Sequence, residues 1–347
     1  MARSTTWPES PTGEGPVPLG RTEREAGRGT QTGDAPPHRA PGSAAAFTEA
    51  AMLRPVRPRP EHGWRRGLYE LTGGHMNLGP SRREQRDHAT LSRVTASTGG
   101  CQRVAVLSRK GGVGKTTTTL MLGHTFASLR GDRVVAVDGN PDAGSLAYRV
   151  PRDCDATIGD LLDDRARIKG YPDVRRYTSQ APSRLEVVAS DDNPRITDGL
   201  GRDDHEEALQ LLAVHYNLVL VDTGTGILHS ATRGILDAAD QLVVVVAPSL
   251  DGARAAAQTL DWLDQHGYAF LTRQAVAAVN RVGPTRRVQL DRIERHFADR
   301  CRAVVRIPED HHMHDGAQVS LDDLRPRTRT AYVELAAAVA DGFSPAS

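Results

Sequence analysis

A chain of 347 residues with net charge +1 and 38% hydrophobic residues has material for one substantial buried core plus extra sequence, and hardly for two large domains. Cys101, Cys154 and Cys301 stand far apart in no CxxC or Cys/His pattern, which points to a reducing cytosol without structural disulfides or zinc. No apolar run approaches the roughly 20 residues of a membrane span, so stable membrane insertion is not expected and the predicted location is cytoplasmic.

In chain order, residues 1–60 are rich in Pro, Gly, Ser, Thr and Arg, lack any apolar period, and are expected to be disordered. Residues 61–100 add Trp64, Leu68, Tyr69, Leu71 and Met76, then a charged helical piece over 81–94; they read as a linker or docking segment. From Cys101 short apolar runs alternate with helical patterns. Strands are predicted at 103–107, 133–137, 185–189, 218–221, 242–247, 275–279 and 303–307, with helices including 115–129, 205–215, 252–266 and 290–298. Alternation of this kind predicts a doubly wound α/β fold around a mostly parallel sheet, over 101–345, with ligands at the carboxyl ends of the strands.

The first strand runs into Ser108-Arg-Lys-Gly-Gly-Val-Gly-Lys-Thr-Thr117, followed by a helix. Gly111, Gly112 and Gly114 let backbone amides turn toward phosphate oxygens, together with the amides of Val113 and Thr117. The following helix adds positive potential at its N-terminus. Lys115 can reach the β and γ phosphates and the Thr116 hydroxyl can bind Mg²⁺, so ATP with Mg²⁺ is the predicted ligand pair. Of 44 Lys+Arg only Lys110, Lys115 and Lys169 are lysines, and two of them lie in this one loop, where a compact ammonium is not replaceable by a planar guanidinium.

Position 109 is arginine where the usual phosphate loop begins with glycine, and Lys110 precedes the double glycine. The string KGGVGKTT resembles the deviant phosphate loop of the ParA/MinD family of P-loop ATPases (SIMIBI type), whose members dimerise face to face around two ATP molecules. That resemblance implies that Lys110 reaches the partner subunit's phosphates. It aligns Val137-Asp138-Gly-Asn-Pro-Asp142 with the family's switch loop, making Asp138 a metal-shell or loop-ordering carboxylate. Relatives carry a second acid that orients the attacking water, whereas this chain has Asn140. An amide holds water but cannot take its proton, so turnover is expected to be slow or absent unless Asp142 substitutes. Leu218-Val-Leu-Val-Asp222 reads as the strand that delivers a metal-site acid, and Gly224 in the loop after it can sense the γ phosphate. By the same resemblance Asn280, Arg281 and Pro308 frame the adenine.

The likeness covers about residues 101–343, and within the family GWRRGLYELTGGHMNLGPS, VDGNPDAGSL and AYVELAAAVADGF resemble the actinobacterial MinD-like, EspI-type ATPases associated with type VII secretion. The implied function is an ATP-driven dimerisation switch that organises or regulates a partner machine, with a homodimer formed on ATP and a secretion or partition component as partner. Two alternatives stay open: a hydrolysis-deficient nucleotide-binding scaffold, from Asn140, and a DNA-binding partition ATPase, from the arginine-rich stretch 281–306. His311, His312 and His314 read as an exposed loop near the nucleotide, without an acid at ligand spacing.

Overall fold

The computed structural model describes residues 58–141, 144–190, 200–283, 288–313 and 316–345. The expected disordered tail therefore lies, up to residue 57, outside the described residues, as do Asp142 and His314.

Valine-rich runs that are buried on both sides build a central sheet. Its strands are β1 (Gln102–Leu107), β2 (Val134–Gly139), β3 (Ser179–Gln180), β4 (Glu186–Val188), β5 (Leu218–Thr223), β6 (Gln241–Val246), β7 (Val276–Val282) and β8 (Ala303–Pro308), in spatial order β3-β4-β2-β5-β1-β6-β7-β8. Every neighbouring pair is parallel except β3 with β4. Every residue of β2, β5 and β6 is buried, as expected for strands covered on both faces.

Side-chain alternation divides the core into two layers. Val104, Val106, Ala136, Leu220, Val243 and Val245 face α2 (Arg82–Val94), α3 (Lys115–Leu129) and α11 (Pro326–Ala340), where Val94, Met121, Phe126, Tyr332 and Leu335 are buried. On the opposite face Ala105, Leu107, Val137, Val221 and Val244 pack with α4 (Ile158–Asp163), α6 (Arg202–Ala213), α7 (Ser230–Ala238) and α8 (Leu250–Gln265). The intervening helices are α1 (Gly63–Leu71), α5 (Tyr171–Val174), α9 (Ala269–Gln274) and α10 (Leu290–Ala298). The result is a doubly wound, mostly parallel sheet of the P-loop NTPase type.

The segment read as a linker contributes α1 and α2. Ser81 caps α2 by accepting from the Glu84 amide while the Glu84 carboxylate accepts from the Ser81 amide, a reciprocal capping box. The far end of α2 is clipped to α11 by Arg93 and Asp341, with Nε to Oδ1 at 2.8 Å. Arg130, from the end of α3, donates to the carbonyls of Val94 and Ala96 at 2.7 and 2.9 Å. No helix among the described residues is long and apolar enough to cross a membrane.

Candidate functional site

The sheet's parallel order brings the ends of β1, β2, β5 and β7 to one edge, and the loops leaving them enclose a cleft of about 280 Å³. Its walls include the loop from Lys110 to Thr117, Asn140, Ser145 and Arg149 after β2, Thr225 after β5, Arg281 at the end of β7, and Met313.

The loop between β1 and α3 folds as its glycines allow. Gly112 and Gly114 hold φ of +72° and +89°, conformations costly for any residue with a Cβ. At Gly114 a Cβ would also stand 2.2 Å from Nδ2 of Asn280. That amide, 2% exposed, donates to the Val113 carbonyl at 2.7 Å and so fixes the loop to the end of β7; its Oδ1 has no hydrogen-bond partner among the described residues. Arg281, next along, sits at φ +56°, a left-handed conformation that is uncommon for a non-glycine residue and marks a constrained strand end.

Below the loop, the ammonium of Lys115 donates to Oδ1 of Asp222 at 2.9 Å and to the Thr223 carbonyl. The Thr116 hydroxyl donates to Oδ2 of the same carboxylate, and Thr119 approaches Oδ1 at 3.4 Å. Asp222 pairs in register with Asp138 across β5 and β2, and each is 1% exposed. Two carboxylates so placed resist double ionisation. Burial, and then the Asp222 charge, raise the Asp138 carboxyl to about 7, against amide donors from Leu146 at 2.9 Å and Asn140 at 3.2 Å. The crowding is tight: a Cβ on Gly144 would fall 2.0 Å from the Asp138 oxygens, and one on Gly224 2.8 Å from Oδ1 of Asn140.

Lys110, Lys115, Thr116, Thr117, Asn140 and Arg281 thus line one cleft, with Asp138 and Asp222 beneath it and Asn280 behind the loop. Pro308 pairs with Val282 at the sheet end and is not in the cleft wall; Met313, five residues further on, is. Sequence reasoning passed over Met313, Ser145 and Arg149. No local pattern marks Arg149, because only the fold carries it back to Thr117.

Residues 101–271 match the family described as an AAA domain. The chain is 37% identical to the ESX-1 secretion-associated protein EspI of Mycobacterium tuberculosis H37Rv over 82% of its own length and 43% of the relative's. It therefore spans less than half the length of that relative. Solved structures similar in fold include a ParA family ATPase from Chlorobium tepidum TLS (19% identity, TM-score 0.59, 68% of this chain and 98% of that one). Another is the septum site-determining protein MinD of Pyrococcus horikoshii, complexed with Mg-ADP (20% identity, TM-score 0.55, 68% and 94%). In fold the chain is of the ParA/MinD type. Its EspI-type resemblance rests on the 37% identity to a secretion-associated protein.

Two peripheral signals change in the structure. Within the ParA/MinD-type domain's arginine-rich stretch, Arg300 pairs with Asp261 and Asp264, Arg306 with Asp291 and Glu294, and Arg302 donates to Gln241 and the Ala338 carbonyl. Three of its arginines are thereby engaged inside the molecule, which weakens a DNA-binding reading of it. The histidine loop, expected to lack an acid at ligand spacing, has one: Asp310 lies with His311 and His312 in one cluster. Its oxygens, however, already accept from the His312 amide and ring and from the Arg325 amide at 2.9 Å, and the Arg325 guanidinium meets the His311 ring at 2.8 Å. Those donors outweigh the burial of Asp310 and bring its carboxyl to about 2, so it acts as a charged cap on α11.

Proposed function

We propose that this protein is an ATP- and Mg²⁺-binding ATPase that acts as an ATP-driven dimerisation switch and regulates or organises a partner machine of the type VII secretion class. The observation that carries the reading is the convergence of Lys115, Thr116 and Asp222 under a glycine-bent loop at the carboxyl edge of a parallel sheet. The fit to a magnesium nucleotide rests on three features: a glycine-bent loop lining one cleft, two buried acids beside a hydroxyl, and the buried acceptor Oδ1 of Asn280, which suits an exocyclic amine. MinD of Pyrococcus horikoshii, of similar fold, is a complex with Mg-ADP, and the same ligand class is proposed here.

In this reading Gly111, Gly112, Val113, Gly114 and Thr117 offer amides to the phosphates, and Lys115 leaves Asp222 for the β and γ oxygens. Thr116 and Asp222 hold the metal, with Asp138 behind them, while Gly224 lies beside the γ phosphate and Asn280 and Arg281 frame the base. When bound, Mg²⁺ neutralises charge on the phosphoryl group being transferred. Lys110, at the rim of the cleft, completes the site of a second subunit. Light scattering at saturating ATP and Mg²⁺ should give the mass of a dimer, and a monomer under those conditions removes the switch.

Asn140 favours a second reading, a nucleotide-locked scaffold. Its amide occupies the wall of the cleft where the family resemblance calls for a carboxylate, and Asp142, the proposed substitute, lies outside the described residues. Under that reading Asn140→Asp creates or raises phosphate release, and an unchanged rate counts against it.

A further inference from the structure

The segment after β2 returns to the cleft through Arg149, which no motif predicts. Its Nη1 donates to the Thr117 hydroxyl at 2.8 Å, and Nη2 lies 3.7 Å from where a Cβ on Gly316 would be. Nε is buried with no hydrogen-bond partner, and no carboxylate among the described residues lies within ion-pair distance of the guanidinium. Burial pulls the group below the ordinary arginine range and the Arg281 charge adds to the effect, while Asp222 opposes it from a distance.

Such a cation is costly to bury. An arginine presents its donors in a fixed planar fork matched to carboxylate or phosphate, and one whose buried Nε finds no protein acceptor is arranged for an acceptor supplied from outside. The cleft wall already holds Lys110, Lys115 and Arg281, so the missing partner is an anion. Its position along that anion follows from its neighbours. Lys115 and Thr116 turn to Asp222, the end assigned above to the metal and the β and γ phosphates, whereas Arg149 reaches Thr117, one residue deeper into α3, and approaches Gly316 beyond β8.

We propose that Arg149 is a nucleotide-binding residue that contacts the phosphate chain at its base-proximal end, from within the same subunit. The proposal rests on the nucleotide reading of the cleft and names a recognition group in it. It also gives the β2 exit segment two attachments: Asp138 holds its start through the amides of Asn140 and Leu146, and Arg149 holds its end to the ligand.

The test is equilibrium binding of fluorescent ATP and ADP analogues with Mg²⁺ to wild type, Arg149→Gln, Arg149→Lys and Lys115→Ala, with the melting temperature of each protein measured without nucleotide. Because the contacted phosphate is common to both nucleotides, Arg149→Gln should weaken ATP and ADP alike by about tenfold, Arg149→Lys should recover part of that loss, and melting should stay near wild type. The affinity of wild type should also fall more steeply with salt than that of Arg149→Gln, a dependence that a purely structural role would leave alone. Loss of ATP affinity alone would move the contact to the γ phosphate and overturn the assignment. Unchanged binding in Arg149→Gln, beside the expected loss in Lys115→Ala, would overturn the proposal while leaving the cleft reading intact. Full binding by Lys115→Ala would overturn both.

Discussion

Glu186 on β4 and Asp222 on β5 are both acids buried in the same sheet, 2% and 1% exposed, and each is surrounded by donors. Glu186 accepts from the hydroxyls of Tyr171, Tyr216 and Thr178, the last at 2.9 Å, and the Arg133 guanidinium lies 3.8 Å over the Tyr171 ring. All of these donors are neutral and belong to elements with no other task in view. Burial first, and then the Glu186 carboxylate, raises the Tyr171 and Tyr216 hydroxyls, Tyr171 to about 12, so they remain donors at any working pH. Around Asp222 the donors are Lys115 and Thr116, the two side chains that a magnesium nucleotide would engage, and a second acid stands in register beside it. One acid has permanent partners and the other has partners that can be exchanged. Burial alone therefore does not separate structure from function here; the chemistry of the partners does.

The comparison breaks most visibly at Lys115. Lys115→Ala should reduce nucleotide affinity by about 100-fold or more, the loss of roughly 3 kcal/mol of charge-assisted contacts, as read by calorimetric titration. Its unfolding midpoint should change little, because Asp222 keeps hydroxyl donors and a partly protonated neighbour. Glu186→Ala should do the reverse. Three hydroxyls, those of Tyr216 and Thr178 buried, lose their acceptor, stability in urea falls by about 3 kcal/mol, and nucleotide affinity stays within a factor of about two. If the two variants behaved alike, the distinction drawn between the acids would be wrong.

A pH series sharpens it. His124 on α3 is 3% exposed, its Nδ1 lies 2.6 Å from the Ser183 hydroxyl, and burial holds it down at about 4. A histidine kept neutral in the folded state and titrating near 6.5 in the unfolded chain adds stability above pH 6.5 that disappears as pH falls toward 4. The His124 contribution should fall by about 3 kcal/mol over that window, read as the difference between wild type and His124→Leu in a denaturation series, because Asp138, raised to about 7, adds stability of the opposite sign over the same range. The smallest effect belongs to Arg93→Ala. Its bridge to Asp341 is half-exposed, so stability should drop by no more than about 1 kcal/mol, with nucleotide affinity untouched.

How much of this could be read from the sequence depended on how local each cause is. The glycines, Lys110 and Lys115 announce the phosphate loop because its chemistry is confined to ten consecutive residues. The long valine runs announce β1, β5 and β6 for the same reason, although β2 and β7 extend two and three residues beyond their predicted ends and β4 stops short at Val188. The two-residue β3 carries no period and went unseen. Helix α7 was also missed; its Gly234 breaks propensity, yet a Cβ there would meet the Arg202 carbonyl at 2.2 Å, so the glycine serves a close approach of helices that only the fold shows. Arg149 and the Glu186 cluster depend on residues 8 to 32 positions apart in sequence, and no short motif encodes them. Pro308 was named for the cleft by alignment with a family pattern, and the wall is formed instead by Met313.

The capping of α11 by Asp310 has a mechanical side. The carboxylate fixes the helix's first turn to the loop beside the cleft, and Asp341 just past its last turn is fastened to α2. Fifteen residues at about 1.5 Å each make a strut of roughly 22 Å. One helix thus joins the loop that brings Met313 to the cleft wall with α2, in the segment ahead of the sheet, and holds the two about one helix length apart.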